Sequence, residues 1–155
     1  MGRPKKYGTF SVNEDMETSF SLAQETIEEL YLEIESWLSS IGDTNFEYLQ
    51  DSLEDCYSVL DNSNSQLEEV EDLISEVFPF FPKIKYEEIR LSILPKKLRC
   101  KNAINILQEI LTTLDESDKT NWTTDIDIGD VFEGISLLQD VVSDLETLTF
   151  PKLRY

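Results

Sequence analysis

The sequence contains no histidine, and across residues 7–82 it contains no lysine or arginine either. The first absence removes the commonest general base and the commonest nitrogen ligand for metals. It also excludes the four-helix di-metal site built on Glu-x-x-His pairs. None of the five glycines belongs to a phosphate-cradling loop, and no serine or cysteine stands in a recognisable nucleophile motif. The chain is therefore expected not to be an enzyme, and no catalytic residue, metal ligand or cofactor is assigned to it. Long apolar runs are missing too. Nothing approaches the ~20 residues that a membrane helix requires. The start MGRPKKYGTF lacks the apolar middle of a signal peptide. A cytoplasmic location follows as an expectation, in a cell or in an infected host, and there the Asn121-Trp122-Thr123 sequon has no consequence. The two cysteines, Cys56 and Cys100, fall on apolar positions of helical patterns, which predicts buried, reduced thiols.

What the chain has in excess is acid. Against 13 basic residues stand 32 acidic ones in 155, a net charge of −19. Phosphates repel such a body, so nucleic acid is a poor partner for it and a basic protein a good one.

The apolar residues fall in helical steps of three and four. Phe20, Ala23, Ile27, Leu30, Ile34, Trp37 and Ile41 define a first helix, with Ser21 and Gln24 as a capping box and Gly42 as its stop. Thr44 and Glu47 repeat the capping signature before Phe46, Leu49, Leu53, Cys56 and Leu60. Asp61-Asn-Ser-Asn-Ser65 then reads as a turn, and Ser65 with Glu68 caps a third helix carrying Leu67, Val70, Ile74 and Val77. One uninterrupted helix over 45–78 is the alternative, because the two stripes share a phase. Pro79 and Pro82 end the pattern in either case. Residues 84–93 alternate briefly, but no partner strand is visible, so a short helix or extended connector is expected. A further helix runs from Pro95 to about residue 115. The last carries Ile128, Val131, Ile135, Leu138, Val142 and Leu145 and stops before Pro151. The sum is an all-α antiparallel bundle of four to five amphipathic helices occupying 19–150. A basic arm and lead-in, 1–18, precedes it, and a tail, 151–155, follows.

The charges are not evenly spread along these helices. Residues 7–82 carry 19 acids and no base, whereas 83–101 carry seven bases and two acids. An ordinary solvated helix mixes the two signs at i and i+4, gaining ~0.2–0.5 kcal/mol per pair. The first three helices decline that gain, with Glu25, Glu28, Glu29, Glu33 and Glu35, then Glu68, Glu69, Glu71 and Asp72, on their polar sides. These nine form the candidate partner-binding face. Five carboxylates along the first helix give about one charge per ~3 Å of rise, close to the ~3.4 Å phosphate spacing of one DNA strand. Such a surface can imitate a nucleic-acid backbone. The blander reading is a solvated acidic surface, and Lys96, Lys97, Arg99 and Lys101 could neutralise part of it from within the fold.

Three short features complete the inventory. Gly2-Arg3-Pro4-Lys5-Lys6 resembles the core of an AT-hook, which implies an extended arm laying its arginine in a minor groove. Similar short starts open some phage small terminase subunits. Arg3, Lys5 and Lys6, with the basic residues of 96–101, are thus the candidate anion contacts, beside the simpler reading of a basic terminus without a role. Asp125-Ile-Asp-Ile-Gly-Asp130 has calcium-like spacing but places Asp130 and Ser136 where an EF-hand needs Gly and Glu. Capping of the last helix by Asp127 or Asp130 explains it better. Phe78-Pro-Phe-Phe-Pro82 is the densest aromatic patch, and Phe80, Phe81 and the polar-side Leu32 are candidate interface anchors.

The function expected from these features is that of a non-enzymatic, acidic protein-binding module. It would act as an inhibitor or regulator engaging a basic, nucleic-acid-handling protein, by mimicry or occlusion. The alternative is a self-associating structural or assembly subunit, for example of a phage, with its basic arm on nucleic acid.

Overall fold

The computed structural model describes residues 8–41, 47–119, 122 and 125–151. Four helices and a two-stranded ribbon account for most of them. Strand β1 spans Gly8–Glu14, helix α1 Met16–Ile41 and helix α2 Glu47–Ile74. A 3-10 segment, Ser75–Phe80, leads to strand β2, Ile84–Arg90. Helix α3, Lys96–Glu116, and helix α4, Ile128–Glu146, follow. The expected helical bundle is met in outline, with a strand pairing beside it.

Helix α1 begins five residues before the expected capping box. The Asp15 carboxylate accepts the Thr18 N–H at 2.9 Å, a hydrogen bond that holds its pKa below the usual range. Met16 and Ser19 thereby join the buried stripe of Phe20, Ala23, Ile27, Leu30 and Ile34. Ser21 and Gln24 do not cap anything. Gln24 reaches across to α2, where its Nε2 donates to the Leu67 carbonyl and the Glu71 carboxylate at 3.5 and 3.3 Å. The expected stop at Gly42 and the capping box at Thr44 lie outside the described residues.

The predicted break at 61–65 is not there. α2 continues through Asp61-Asn-Ser-Asn-Ser65, and Leu53, Cys56, Leu60, Ser63, Leu67, Val70 and Ile74 form one buried stripe. The reason lies in magnitudes. Each of these turn-forming residues costs up to ~0.7 kcal/mol in a helix interior, whereas burying Leu60 or Leu67 gains ~1.5–3 kcal/mol apiece. A break would have thrown the second half of the stripe out of phase with its neighbours. Ser65 and Glu68 are interior helical residues, not a cap.

Each helix lies against two others: α1 and α4 both pack on α2 and on α3. The neighbours run antiparallel. Tyr31 meets Tyr57 while Gln24 meets Leu67, Cys56 donates to the Thr149 carbonyl while Gly134 abuts Ile74, and Lys96 approaches Trp37 while Arg99 approaches Glu33. The two cysteines are buried and free. Burial pushes the thiols up to about 11 for Cys56 and about 12 for Cys100.

To enter α3 the chain must travel the length of the bundle, and β2 makes that journey. It is a strand, not the expected short helix or unpaired connector. Its partner is β1, antiparallel, with Gly8 opposite Arg90 and Glu14 opposite Ile84. Ile84 and Tyr86 point into the core with Val12 packed beside them. The other edge of β2 is sealed by α3: Asn102 both accepts from the Ile89 N–H (2.8 Å) and donates to its carbonyl (2.9 Å), and Asn105 donates to the Glu87 carbonyl. Of the lead-in 1–18, residues 8–18 are thus strand and helix start, while Arg3, Lys5 and Lys6 fall outside the described residues. At the other end, Asp127 caps α4 as expected, accepting the Asp130 N–H at 3.2 Å.

Candidate functional site

The α1–α2 pair carries no base, and packing the two helices antiparallel brings their acids together. Between them runs an open groove of about 480 Å³, lined by Glu25, Glu28, Asp61 and Glu68, with Tyr31 and Leu32 at the Asp61 end. Leu32, at 50% exposure, is among the most exposed large apolar side chains of the described residues. Tyr31 stacks on Tyr57 with ring centroids 5.0 Å apart, and the two hydroxyls lie 2.9 Å from each other. That hydrogen bond raises the Tyr31 phenol to about 12, with desolvation, Tyr57 and the charges of Asp61 and Glu35 adding to it. Tyr31 is neutral at physiological pH, a rigid polar wall beside the carboxylates.

The nine candidate face residues divide. Glu25, Glu28 and Glu68 meet at the groove. Glu35 lies near it, within electrostatic reach of Tyr31, and Glu71 borders it, held by Gln24. Glu69 and Asp72 are exposed on α2 outside the groove wall. Glu29 and Glu33 turn instead toward α3. There Arg99 places Nη1 2.7 Å from Oε2 and Nη2 2.5 Å from Oε1 of Glu33, and Lys96 Nζ stands 3.6 Å from the same carboxylate. The Arg99 hydrogen bonds hold Glu33 below the usual carboxylate range, and they raise Arg99, with Glu29 contributing charge.

Internal neutralisation by the basic block is thus narrow. Lys96 and Arg99 spend themselves on Glu33, and Lys97 and Lys101 form no ion pair among the described residues. Glu33 is the only carboxylate of α1 or α2 in such a pair within the same set. It belongs to the fold's internal wiring more than to a free acidic surface.

Asp61 is not among the nine expected face residues. Its signal was present: Asp61 and Glu68 are seven residues apart, two helical turns on one side, once α2 is taken as continuous. Among the candidate anchors, Leu32 sits in the groove. Phe81 is packed on the core and meets Trp122 edge-on at 6.3 Å, while Phe80 keeps 37% exposure beside the same ring at 6.4 Å. Among the described residues no three His, Cys, Asp or Glu side chains converge as a metal site, and no helix is long and apolar enough to cross a membrane. No protein-family model, curated protein or solved structure matches the chain.

Proposed function

We propose that the α1–α2 groove binds a basic segment of another protein, and that the chain acts as a non-enzymatic inhibitor or regulator of a nucleic-acid-handling partner. One observation carries the reading. Glu25, Glu28, Asp61 and Glu68 line one groove with a half-exposed leucine, and none of the four has a cationic partner among the described residues. Carboxylates crowded on one surface repel one another, and a lysine- or arginine-bearing segment relieves that repulsion as it binds. Leu32 supplies an apolar anchor beside the carboxylates, the kind of contact that contributes to affinity once desolvated. The surface a partner would use for phosphates is then occupied by carboxylates.

The test is an affinity capture from the natural host's lysate, eluted by rising salt, with the native chain and with the neutral variant Glu25→Gln/Glu28→Gln/Asp61→Asn/Glu68→Gln as baits. The expected result is a basic nucleic-acid-handling protein that the native chain retains, salt releases, and the variant loses while its circular dichroism is unchanged. Equal retention by both baits overturns the reading.

A further inference from the structure

The ribbon has one open edge, and its groups can be counted. Because Ile89 turns its N–H and C=O toward Asn102 and Glu87 turns its carbonyl toward Asn105, residues 85, 87 and 89 face away from β1. Their partners in the register, Asn13, Ser11 and Thr9, must likewise face away from β2, since directly opposed antiparallel residues alternate between bonded and non-bonded pairs. Thr9, Ser11 and Asn13 therefore present three N–H and three C=O groups outward. None of the six has a hydrogen-bond partner among the described residues. The devices that usually blunt such an edge are missing from β1, whose sequence GTFSVNE holds no Lys, no Pro and one charge.

We propose that this edge pairs with β1 of a second copy of the chain, antiparallel about a two-fold axis through Ser11, joining the two ribbons into a four-stranded sheet. The register follows from the outward residues. With Ser11 opposite Ser11, Thr9 lies opposite Asn13 and Asn13 opposite Thr9, all three as bonded pairs, so all six free groups are used. A shift of one residue leaves some of them without a partner.

Side chains agree with that register. Phe10, Val12 and Glu14 share the face of Tyr86 and Ile84, as the register requires. Phe10 is 45% exposed there, covered on one side by the Arg90 guanidinium 4.6 Å from its ring centre. In the paired sheet Phe10 falls opposite Val12 of the second copy in a non-bonded pair, the closer kind, and an aromatic against a β-branched residue is a favourable cross-strand match. Gly8 falls opposite Glu14 of the second copy. Since Gly8 has no side chain, Arg90, its neighbour on β2, faces that carboxylate across the gap. Arg90, which also holds Glu88 at 2.7 Å, attracts Glu14 of the second copy, once on each side of the axis. The −19 charge of each copy opposes association, so the dimer strengthens as salt rises.

The test is sedimentation velocity over a wide concentration range at low and moderate salt, on the native chain and on Ser11→Pro. The Ser11 backbone N–H points away from β2, so proline there removes a central edge donor and leaves the β1–β2 ladder bonds intact, losing only the 3.3 Å bond from the Ser11 hydroxyl to the Glu87 carboxylate. The expected result is a native dimer whose population grows with salt and a Ser11→Pro monomer with unchanged helicity. A second variant guards against misfolding: Ser11→Cys, with the two native cysteines buried, should oxidise to a covalent dimer across the axis, where bonded pairs stand ~5.5 Å apart at Cα. A native chain that stays monomeric throughout, or a dimer equally strong with Ser11→Pro, overturns the proposal. The first of these outcomes leaves the edge to a strand from a different protein.

Discussion

Arg99 of α3 and Glu33 of α1 hold each other in a two-pronged hydrogen-bonded pair, 2.7 and 2.5 Å on its two arms. It is the one place among the described residues where the basic block meets the acidic helices in ion pairs, with Lys96 attending. Replacing Glu33 by Gln should lower stability at neutral pH by about 1 kcal/mol, between the value of an exposed ion pair and that of a buried charged hydrogen bond. Urea denaturation measures it.

The same pair fixes a pH dependence. The folded-state pKa of Glu33 lies below its unfolded value, so its contribution is complete above the unfolded value. It is lost as pH falls through the folded one. The stability gap between the native chain and Glu33→Gln should therefore narrow and close on acidification. A gap that widens below the usual carboxylate range would contradict the assignment.

At Gly134, α4 packs closely against Ile74 and Leu73 of α2. A Cβ built on it would stand 2.5 Å from Ile74 Cγ2 and 3.1 Å from Leu73 Cβ. Alanine in a helix interior normally gains up to ~1 kcal/mol over glycine, but overpacking here costs ~1–3 kcal/mol. Gly134→Ala should be net destabilising, and a double-mutant cycle with Ile74→Ala should show a coupling that relieves the clash.

Ser63 is fully buried, and its hydroxyl has no hydrogen-bond partner among the described residues. Ser63→Ala removes an unpaired polar atom and improves helix propensity, so it should raise stability by about 1 kcal/mol. For a chain of this size that corresponds to a rise of ~2–4 °C in Tm. A fall in Tm would mean that the hydroxyl has a hydrogen-bonding partner in solution.

Salt should stabilise the chain. Like charges on α1 and α2 repel in the folded state, few internal pairs stand to be screened, and the Debye length shortens from ~30 Å at 0.01 M to ~8 Å at 0.15 M. Thermal denaturation across that range should show Tm rising, and Glu25→Gln/Glu28→Gln/Asp61→Asn/Glu68→Gln should flatten the slope.

What could be read from the sequence was whatever local periodicity decides. The stripes of α1, α3 and α4 emerged because burial repeats every three or four residues. The stretch Asp61–Ser65 reads as a turn because five turn-forming residues outweigh two leucines locally, though not in the packed bundle. Strand β2 was visible as an alternation, yet its partner lies 70–82 residues earlier, and no local rule connects Val12 with Tyr86. The acidic groove was half legible: its residues could be named, but their division between Leu32 and Arg99 depends on which way each helix is rolled.

The β1–β2 pairing also orders events in time. Joining α1 to α2 closes only a short loop, whereas β1 meets β2 only after nearly the whole span between them has been gathered up, at greater entropic cost. The helical hairpin can form early and β1 must dock late. Until it does, β2 is shielded on one flank by Asn102 and Asn105 and bare on the other. During that interval a β1 segment from a neighbouring chain can take the place meant for the chain's own, so refolding at high concentration favours exchanged partners and refolding at high dilution the self-closed form.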